Sequence, residues 1–264
     1  MTSKTGRIIE KRQPEKSVIR SHAILELGSA IHCKLAKMGD LKNKAALQRY
    51  FRGVVEFHGI KTPDLNSAYK ELTQQIEKLT TPERIELARC LLSSSFAEEK
   101  GVAVRILHSL RKELSVEFLI QFETEFRTHV YDWGTADSLS SKVFRHLIEI
   151  GNERAIRRIV SWRNDSSLWM QRMAAVSFVC LARHGRVTTE VLSICSSTIK
   201  NSERFTQLGT GWVLRELWLA EPQRVENFIR ANYPSFSREG LRYAIEKMPK
   251  RKREHFLNFT TISS

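Results

Sequence analysis

The feature that most constrains the fold of this chain is the recurrence of apolar residues at helical spacing along almost its whole length. The segment from Ser115 to Tyr131 is typical, because its apolar side chains turn to one side of a helix. Those side chains are Val116, Leu119, Ile120, Phe122, Phe126 and Val130.

Short turn-forming segments interrupt this pattern at intervals. Thr62-Pro63-Asp64, Thr80-Thr81-Pro82-Glu83 and Gly151-Asn152 are examples, and the segments between such breaks are roughly 10 to 18 residues long. They show no convincing alternation of the kind that strands display. We therefore expect about 12 helices in antiparallel pairs of roughly 35 to 45 residues, the period of HEAT-type repeats. The predicted fold class is all-α, a curved α-solenoid of degenerate HEAT-like helical repeats with one concave face.

The predicted organisation is one folded domain preceded by a short arm. Residues 1–16 carry several lysines and arginines without the apolar stretch of a secretory signal, so we expect a flexible basic arm. Residues 17–264 are expected to form a single HEAT-like-repeat domain.

Apolar runs such as Val176–Ala182 are far shorter than the roughly 20 residues of a membrane-spanning helix, so no membrane partner is expected. We expect a monomer in the cytoplasm, associated with the nucleoid.

The chain is strongly basic. It has 43 Lys and Arg against 29 Asp and Glu, which gives a formal net charge of +14 with its 8 histidines neutral. A surplus of this kind favours a polyanionic partner, with nucleic acid the first candidate and an anionic membrane surface the second. Charge alone does not choose between them.

Several chemistries lack their sequence motifs. The four cysteines are scattered, with no CxxC pair and no histidine at ligand spacing, so the sequence predicts no metal site and favours buried free thiols. The chain contains no GxxxxGK[ST], GxGxxG, HExxH or GxSxG segment. Phosphate-loop, dinucleotide, zincin and hydrolase-elbow chemistry are therefore poorly supported, and no cofactor is expected.

Tryptophans and arginines concentrate in the second half of the chain. All five tryptophans lie there, and the stretch from Arg145 to Arg186 holds eight arginines. Arginine neutralises phosphate while flat rings meet bases or sugars, so this mixture is typical of a nucleic-acid surface. A single tryptophan at helical spacing is nevertheless more often a core residue, and an arginine run is more often a solvated face. The interpretation as a nucleic-acid surface therefore depends on particular groups of residues that fall together in the sequence.

Two constellations combine an aromatic ring with a charged group on one helix face. Trp133 and Asp137 are four residues apart in a helix that is expected to open near Asp132. Trp169 and Arg172 are three residues apart, and Trp169 is expected to pack rather than to line a cleft.

A third constellation places two glycines inside a helical pattern. Gly209 and Gly211 precede and follow Thr210, immediately before Trp212. Glycine inside a helix costs roughly 1 kcal/mol relative to alanine. Its presence at these positions predicts that another backbone approaches closely.

These residues together resemble the DNA alkylation repair family of HEAT-like-repeat DNA glycosylases, the AlkD type. The resemblance covers most of the chain, from about Ala45 to Lys247, with the motifs in the family's order. The motifs are Tyr50-Phe51 with Phe57-His58-Gly59-Ile60-Lys61-Thr62-Pro63, then Trp133-x-x-x-Asp137, Trp169-x-x-Arg172, Gly211-Trp212-x-Leu214-Arg215-Glu216 and Leu241-Arg242-x-Ala244.

The resemblance implies roles for individual residues at the lesion. It makes Asp137 the catalytic carboxylate, and Trp133 and Trp212 the aromatic walls of the lesion cleft. It also implies that Arg172 contacts the backbone phosphate near the lesion.

The resemblance implies further DNA contacts. It places Tyr50 near the DNA, and it makes Lys61 an electrostatic contact at a position where the characterised glycosylase has glutamine. Arg215 belongs to the DNA-binding set on the same ground, with an ion pair to Glu216 as the alternative.

The implied activity is excision of N3- or N7-alkylated purines, such as 3-methyladenine and 7-methylguanine, in base excision repair. The implied partner is double-stranded DNA containing alkylated bases, held against a basic concave face in a way that would permit bulky adducts. Two alternatives stay open. One is a non-catalytic binder of branched or distorted DNA from the same superfamily, and the other is a HEAT-type scaffold for protein or RNA.

Overall fold

The computed structural model of the protein describes residues 14–258, with side chains described from residue 22 onward. In the first half the α-helices are α1 (Pro14–Lys37), α2 (Leu41–Tyr50), α3 (Thr62–Ile76), α4 (Thr81–Leu92), α5 (Ala97–Ser109), α6 (Val116–His129) and α7 (Trp133–Leu139). They continue as α8 (Arg145–Glu149), α9 (Glu153–Ser161), α10 (Leu168–Val176), α11 (Val179–Ala182), α12 (Thr188–Thr198), α13 (Arg204–Leu217), α14 (Pro222–Asn232), α15 (Arg238–Ala244) and α16 (Lys250–Leu257). A π-helical turn, Ser140–Phe144, joins α7 to α8, and two 3₁₀ turns lie at Trp162–Asn164 and Tyr233–Ser235.

The helices pack as two rows. One row runs α5, α7, α10, α13, α15, with each helix against the next, and the other includes α6, α9 and α12. Helices α4 and α5 pack closely on each other, as do α12 and α13, which ties the two rows together. The all-α, solenoid-like fold predicted from the periodicity is confirmed. Extended pairing among residues 14–258 is limited to one isolated bridge between Glu56 and Phe96, and no helix in that range is long and apolar enough to cross a membrane.

Helix α6 shows how the apolar pattern builds the core. Of its predicted stripe, Val116, Leu119, Phe122, Phe126 and Val130 are buried, whereas Ile120 is about half exposed. The helix starts where Ser115 accepts a hydrogen bond from the Glu117 N–H, which satisfies one of the free donors of the first turn. The periodicity thus identified most of the buried face, but it included the half-exposed Ile120 and omitted Phe118 and Glu123, which are also buried.

The two glycines of α13 permit close packing at two different contacts. A Cβ atom added to Gly211 would lie 2.6 Å from the backbone oxygen of Gly240 on α15, closer than real Cβ contacts allow. A Cβ added to Gly209 would lie 3.2 Å from Cγ of Arg172. The predicted close approach of another backbone is confirmed at Gly211, which packs on α15, whereas the nearest atom to Gly209 belongs to the Arg172 side chain on α10.

Three details differ from the sequence predictions or fall outside the described range. The described residues form more helices than the about 12 expected, because turns such as Ser140–Phe144 divide longer helical segments. Helix α1 begins at Pro14, inside the segment predicted as an arm, and residues 1–13 of that arm lie outside the described residues. All four cysteines are free, but only Cys195 is buried and Cys33 is exposed, so the expectation of buried thiols was wrong for most of them.

Candidate active site

One large cavity, of about 870 Å³, is lined by residues from both ends of the helix row. Its walls come from the end of α2 and the turn after it, and from α7, α10, α13 and α15. The residues that the argument uses are Tyr50, Phe51, Arg52, Trp133, Asp137, Arg172, Arg204, Trp212, Glu239, Arg242 and Tyr243. Residues near 50 and residues near 243 meet at one cavity, so the row of helices curves around it.

Asp137 and Arg172, which both line the cavity, form a bidentate ion pair. The Arg172 Nε–H donates to Oδ1 of Asp137 at 2.8 Å, and its Nη2 donates to Oδ2 at 2.8 Å. The Nη1 group donates to the backbone oxygen of Phe205 at 2.8 Å. The Arg172 side chain is 6 % exposed and that of Asp137 is 17 % exposed. The pair therefore fixes the orientation of the carboxylate and leaves it a narrow opening to the cavity.

The charge state of Asp137 reflects two opposed effects. Burial raises the pKa of the Asp137 carboxyl above its ordinary value, and the nearby Asp132 carboxyl adds to this rise. The hydrogen bonds and positive charge of Arg172 act in the opposite direction. Arg172 therefore favours the ionised form of Asp137 in a place where burial favours the acid.

The local sequence explains how α7 presents this group. Asp132 caps the helix by accepting a hydrogen bond from the Thr135 N–H at 2.8 Å, so Trp133 opens the helix and Asp137 follows one turn later. The helix start predicted near Asp132 is confirmed. A Cβ at Gly134 would lie 3.1 Å from Oδ1 of the capping Asp132 and at an ordinary contact distance, 3.4 Å, from the ring of Phe51.

Aromatic rings form two sides of the cavity. The Trp133 ring stacks on Phe51 with a centroid distance of 4.7 Å and an interplanar angle of 2°, and Tyr50 meets it edge-on at 5.9 Å. On α13, Trp212 lies 6.5 Å from the ring of Tyr243 on α15. Trp133, Trp212 and Asp137 thus border the same cavity, as the resemblance implied. Tyr50 is exposed at its edge.

The cationic lining does not come from the arginine-rich stretch, with one exception. Within Arg145 to Arg186 only Arg172 lines the cavity. Other arginines of that stretch are in ion pairs elsewhere, as Arg157 is with Glu153 and Arg158 with Glu123. Their helix, α9, lies in the row away from the cavity, which the sequence pattern could not indicate.

The cationic residues of the cavity are instead Arg52, Arg204 and Arg242, together with Arg172. Arg204 makes an ion pair with Glu239 at 2.5 Å between Nη2 and Oε1, so part of its charge is neutralised. Arg52 adopts a left-handed backbone conformation, φ 55°, in the turn after α2. This conformation is costly for a residue other than glycine, and such positions cluster at functional sites.

Two predicted DNA-binding residues lie apart from the cavity lining. Lys61 precedes α3 and lines a separate pocket with Phe57 and Glu98. Arg215 pairs with Glu216 at 3.0 Å and with Glu246, and its guanidinium covers the Tyr243 ring. The ion-pair alternative for Arg215 is therefore observed. The DNA contacts of Lys61 and Arg215 stay predictions.

The remaining tryptophans serve packing. Trp169 packs against the core and lies 5.2 Å from the ring of Phe205, which confirms the expectation for this residue. Trp162 is buried and donates through Nε1 to Glu123 at 2.8 Å. Trp218 donates in the same way to Glu226 at 3.1 Å.

Sequence reasoning missed Arg52, Arg204, Glu239 and Tyr243. Only Tyr243 falls inside a quoted motif, at the open position of Leu241-Arg242-x-Ala244, and the four residues come from the turn after α2 and from α13 and α15. The Leu241-Arg242 segment was the only available pointer to Tyr243, which follows it directly.

The described residues also contain one group that could hold a metal ion, and none of its members lines the cavity. It consists of His32, His58 and Glu99. Burial raises the pKa of Glu99, but hydrogen bonds from His58, Ser94 and His32 outweigh it and lower the pKa overall. The group lies on three separate elements, so it leaves no spacing motif in the sequence.

Comparisons with known proteins agree with this architecture. The family described as "DNA alkylation repair enzyme" matches residues 31–248. A solved structure described as a predicted DNA alkylation repair enzyme from Enterococcus faecalis is similar with a TM-score of 0.72 and 17 % sequence identity, covering 81 % of this chain and 98 % of that one. At this identity the structural likeness shows the fold alone. No curated protein sequence matches the chain significantly.

The fold and the cavity define an all-α, solenoid-like protein with a buried carboxylate between aromatic walls. The family match extends over most of the chain and includes every residue of the Asp137 site from Tyr50 to Tyr243. The chain belongs to the DNA alkylation repair enzyme family.

Proposed function

We propose that the protein is a DNA glycosylase that removes positively charged N3- or N7-alkylated purines from duplex DNA. The observation that carries this proposal is the placement of the Asp137 carboxylate, held by Arg172, in the cavity that Trp133 and Trp212 also line. The proposed partner is double-stranded DNA with alkylated bases. A monomeric state and a cytoplasmic, nucleoid-associated location stay predictions.

The proposed chemistry suits a single carboxylate. An N3- or N7-alkylated purine carries a positive charge, so it takes the electrons of the glycosidic bond and leaves as a neutral base without a general acid. Positive charge then develops on the deoxyribose, where an anion such as Asp137 stabilises it. Water adds to C1′ of the sugar and loses one proton, which completes the hydrolysis.

The aromatic rings would act on the same charges. Trp133 and Trp212 offer electron-rich faces, which attract both a cationic base and a cationic sugar. The stack of Trp133 on Phe51 fixes the orientation of one of these faces. Trp212, near Tyr243, would form the other wall.

The geometry favours a positioning role for Arg172 in this reaction. Three of its nitrogens already donate to Asp137 and Phe205. We infer that Arg172 acts mainly by holding Asp137 ionised and correctly aimed. The phosphate contact implied by the resemblance is the competing role for the same residue.

A binder of distorted DNA without catalysis is the second candidate function. The cavity is wide and bordered by Arg52 and Arg242, a lining that suits a DNA backbone with or without chemistry. A pure binder has no need of a buried carboxylate, whose burial is costly. Asp137 therefore favours the glycosylase.

One assay separates these candidates. Methylated duplex DNA carrying 7-methylguanine and 3-methyladenine is incubated with the full chain, and released base and retained complex are both measured. We expect base release above the spontaneous rate from the same DNA without protein. Retention without release would instead identify the binder, and neither would favour a scaffold for another partner.

A further inference from the structure

Away from the cavity, three side chains from three separate elements converge on one point. They are His32 on α1, His58 in the loop between α2 and α3, and Glu99 on α5. The Nδ1 atom of His32 and the Nε2 atom of His58 each lie 2.7 Å from Oε1 of Glu99. All three ligand-type atoms lie within 4.8 Å of one another.

The group combines fixed members with access to solvent. The side chains of His58 and Glu99 are 4 % and 5 % exposed, whereas that of His32 is 46 % exposed. His58 is further fixed by stacking on Phe96, with ring centroids 4.0 Å apart and an interplanar angle of 1°. An ion could therefore reach the group past His32 and keep one coordination position open to water.

The imidazole of His58 is not required to hold its own loop. The neighbouring carboxylate, Glu98, accepts the backbone N–H groups of His58 at 3.1 Å, Gly59 at 2.9 Å and Ile60 at 3.3 Å. The side-chain amide of Asn43 also donates to the backbone oxygens of Gly59 and Ile60, so the loop backbone is held without the imidazole. The convergence of two imidazoles on Glu99 is an additional arrangement that loop stability does not explain.

We propose that His32, His58 and Glu99 form a binding site for one divalent transition-metal ion. Two imidazole nitrogens and one carboxylate oxygen with a water in the fourth position are a ligand set typical of Zn²⁺. Tetrahedral coordination at ordinary bond lengths places ligand atoms about 3.3 Å apart. The two Glu99–histidine distances of 2.7 Å reach that spacing if Glu99 moves by roughly half an ångström, and the two histidine nitrogens lie within 4.8 Å of each other.

The proposed ion would connect α1 to α5 and to the loop after α2. Tyr50 and Phe51, where that chain segment begins, line the Asp137 cavity. The site is separate from the carboxylate chemistry, so it predicts an effect on stability rather than on the base-release step. Its test is therefore independent of the proposed glycosylase activity.

The test is a Zn²⁺ titration of the chelator-treated full chain against a chromophoric competitor. We expect one tightly bound ion per chain, weakened at least ~10-fold in His32→Asn and in Glu99→Gln. His32 is half exposed, so His32→Asn is expected to keep the fold, which circular dichroism checks. His22→Asn is the matched control. His22 lies on α1 like His32 and also pairs with a glutamate, but it is exposed on the surface.

Two further readouts decide the identity of the ligands. Co²⁺ bound in place of Zn²⁺ should give d–d absorption without a thiolate charge-transfer band, and Cys33→Ser, which removes the exposed thiol beside His32, should change nothing.

Zn²⁺ at about 100 times its Kd should raise the Tm by roughly 5–10 °C in the wild type but not in Glu99→Gln. A thiolate band, or equal Zn²⁺ affinity in the wild type, His32→Asn and Glu99→Gln, would overturn the proposal.

Discussion

Asp137 illustrates what a sequence reveals about a site at the scale of single residues. The position of Asp137 on the same helix face as Trp133 was predictable, because both residues lie on one short helix and their spacing alone determines the face they share. Its ion pair with Arg172 was not predictable, because it joins α7 to α10 and depends on how the helices pack. For the same reason, the sequence did not show that Arg52 and Tyr243 line the cavity, or that His32, His58 and Glu99 converge.

The positioning role of Arg172 makes a prediction about pH. Excision needs the Asp137 anion, so activity should fall as the pH falls through the pKa of Asp137. Burial already raises this pKa, and Arg172 opposes the rise. In Arg172→Gln the opposing charge is gone, so the acid limb of the pH–rate profile should move to higher pH.

The competing role for Arg172 predicts a different outcome. A phosphate contact contributes about 0.9 to the slope of log affinity against log salt concentration. If Arg172→Gln lowers that slope by about this amount and leaves the pH profile unchanged, Arg172 binds phosphate and the positioning role is wrong. Both quantities are measured on the same variant, with methylated duplex as the DNA.

At the scale of elements, helix starts and close approaches were the predictable features. Helix α4 follows Thr80, whose backbone N–H donates to the Glu83 carboxylate at 2.9 Å, and this capping pattern is visible in sequence. The π-helical turn Ser140–Phe144 has no comparable signal in the sequence.

The two glycines of α13 give a paired prediction. Gly211→Ala would press a methyl group on the backbone of α15, so the free energy of unfolding should fall by about 1–3 kcal/mol. Gly209→Ala would place a methyl group 3.2 Å from Cγ of Arg172, a contact that a small shift of that side chain relieves, and alanine favours a helix by up to roughly 1 kcal/mol, so its stability should change less.

The two variants should also separate in activity. Gly209→Ala should lower excision, because displaced Arg172 no longer aims Asp137. Denaturant unfolding and base release, measured on both proteins, check the pair. A larger stability loss in Gly209→Ala than in Gly211→Ala would contradict this description of α13.

At the scale of the whole molecule, the net charge of +14 favours a polyanionic partner, but the arginine-rich stretch supplies only one of the cations that line the cavity. The arginine run is largely engaged in ion pairs on helices such as α9, whereas the cavity gathers Arg52, Arg204 and Arg242 from opposite ends of the row. Only the curvature of the row brings these residues together, and no local sequence pattern encodes curvature.

This placement predicts which arginines bind DNA. Arg242 is exposed and lines the cavity, so Arg242→Gln should weaken duplex binding and lower the salt slope by about 0.9. Arg157 is equally accessible but belongs to α9 and pairs with Glu153, so Arg157→Gln should leave both quantities unchanged. Equal effects from the two variants, in titrations at several salt concentrations, would mean that binding is not confined to the cavity.

The most direct test of the central claim is base release by Asp137→Asn. The substitution removes the negative charge while keeping the size of the side chain, so 7-methylguanine release from methylated duplex should fall to the spontaneous rate, with duplex affinity within a few-fold of the wild type. Asp64→Asn, the same exchange at an exposed position in the first turn of α3, should release base at the wild-type rate. Undiminished release by Asp137→Asn would contradict the assignment of Asp137 as the catalytic carboxylate.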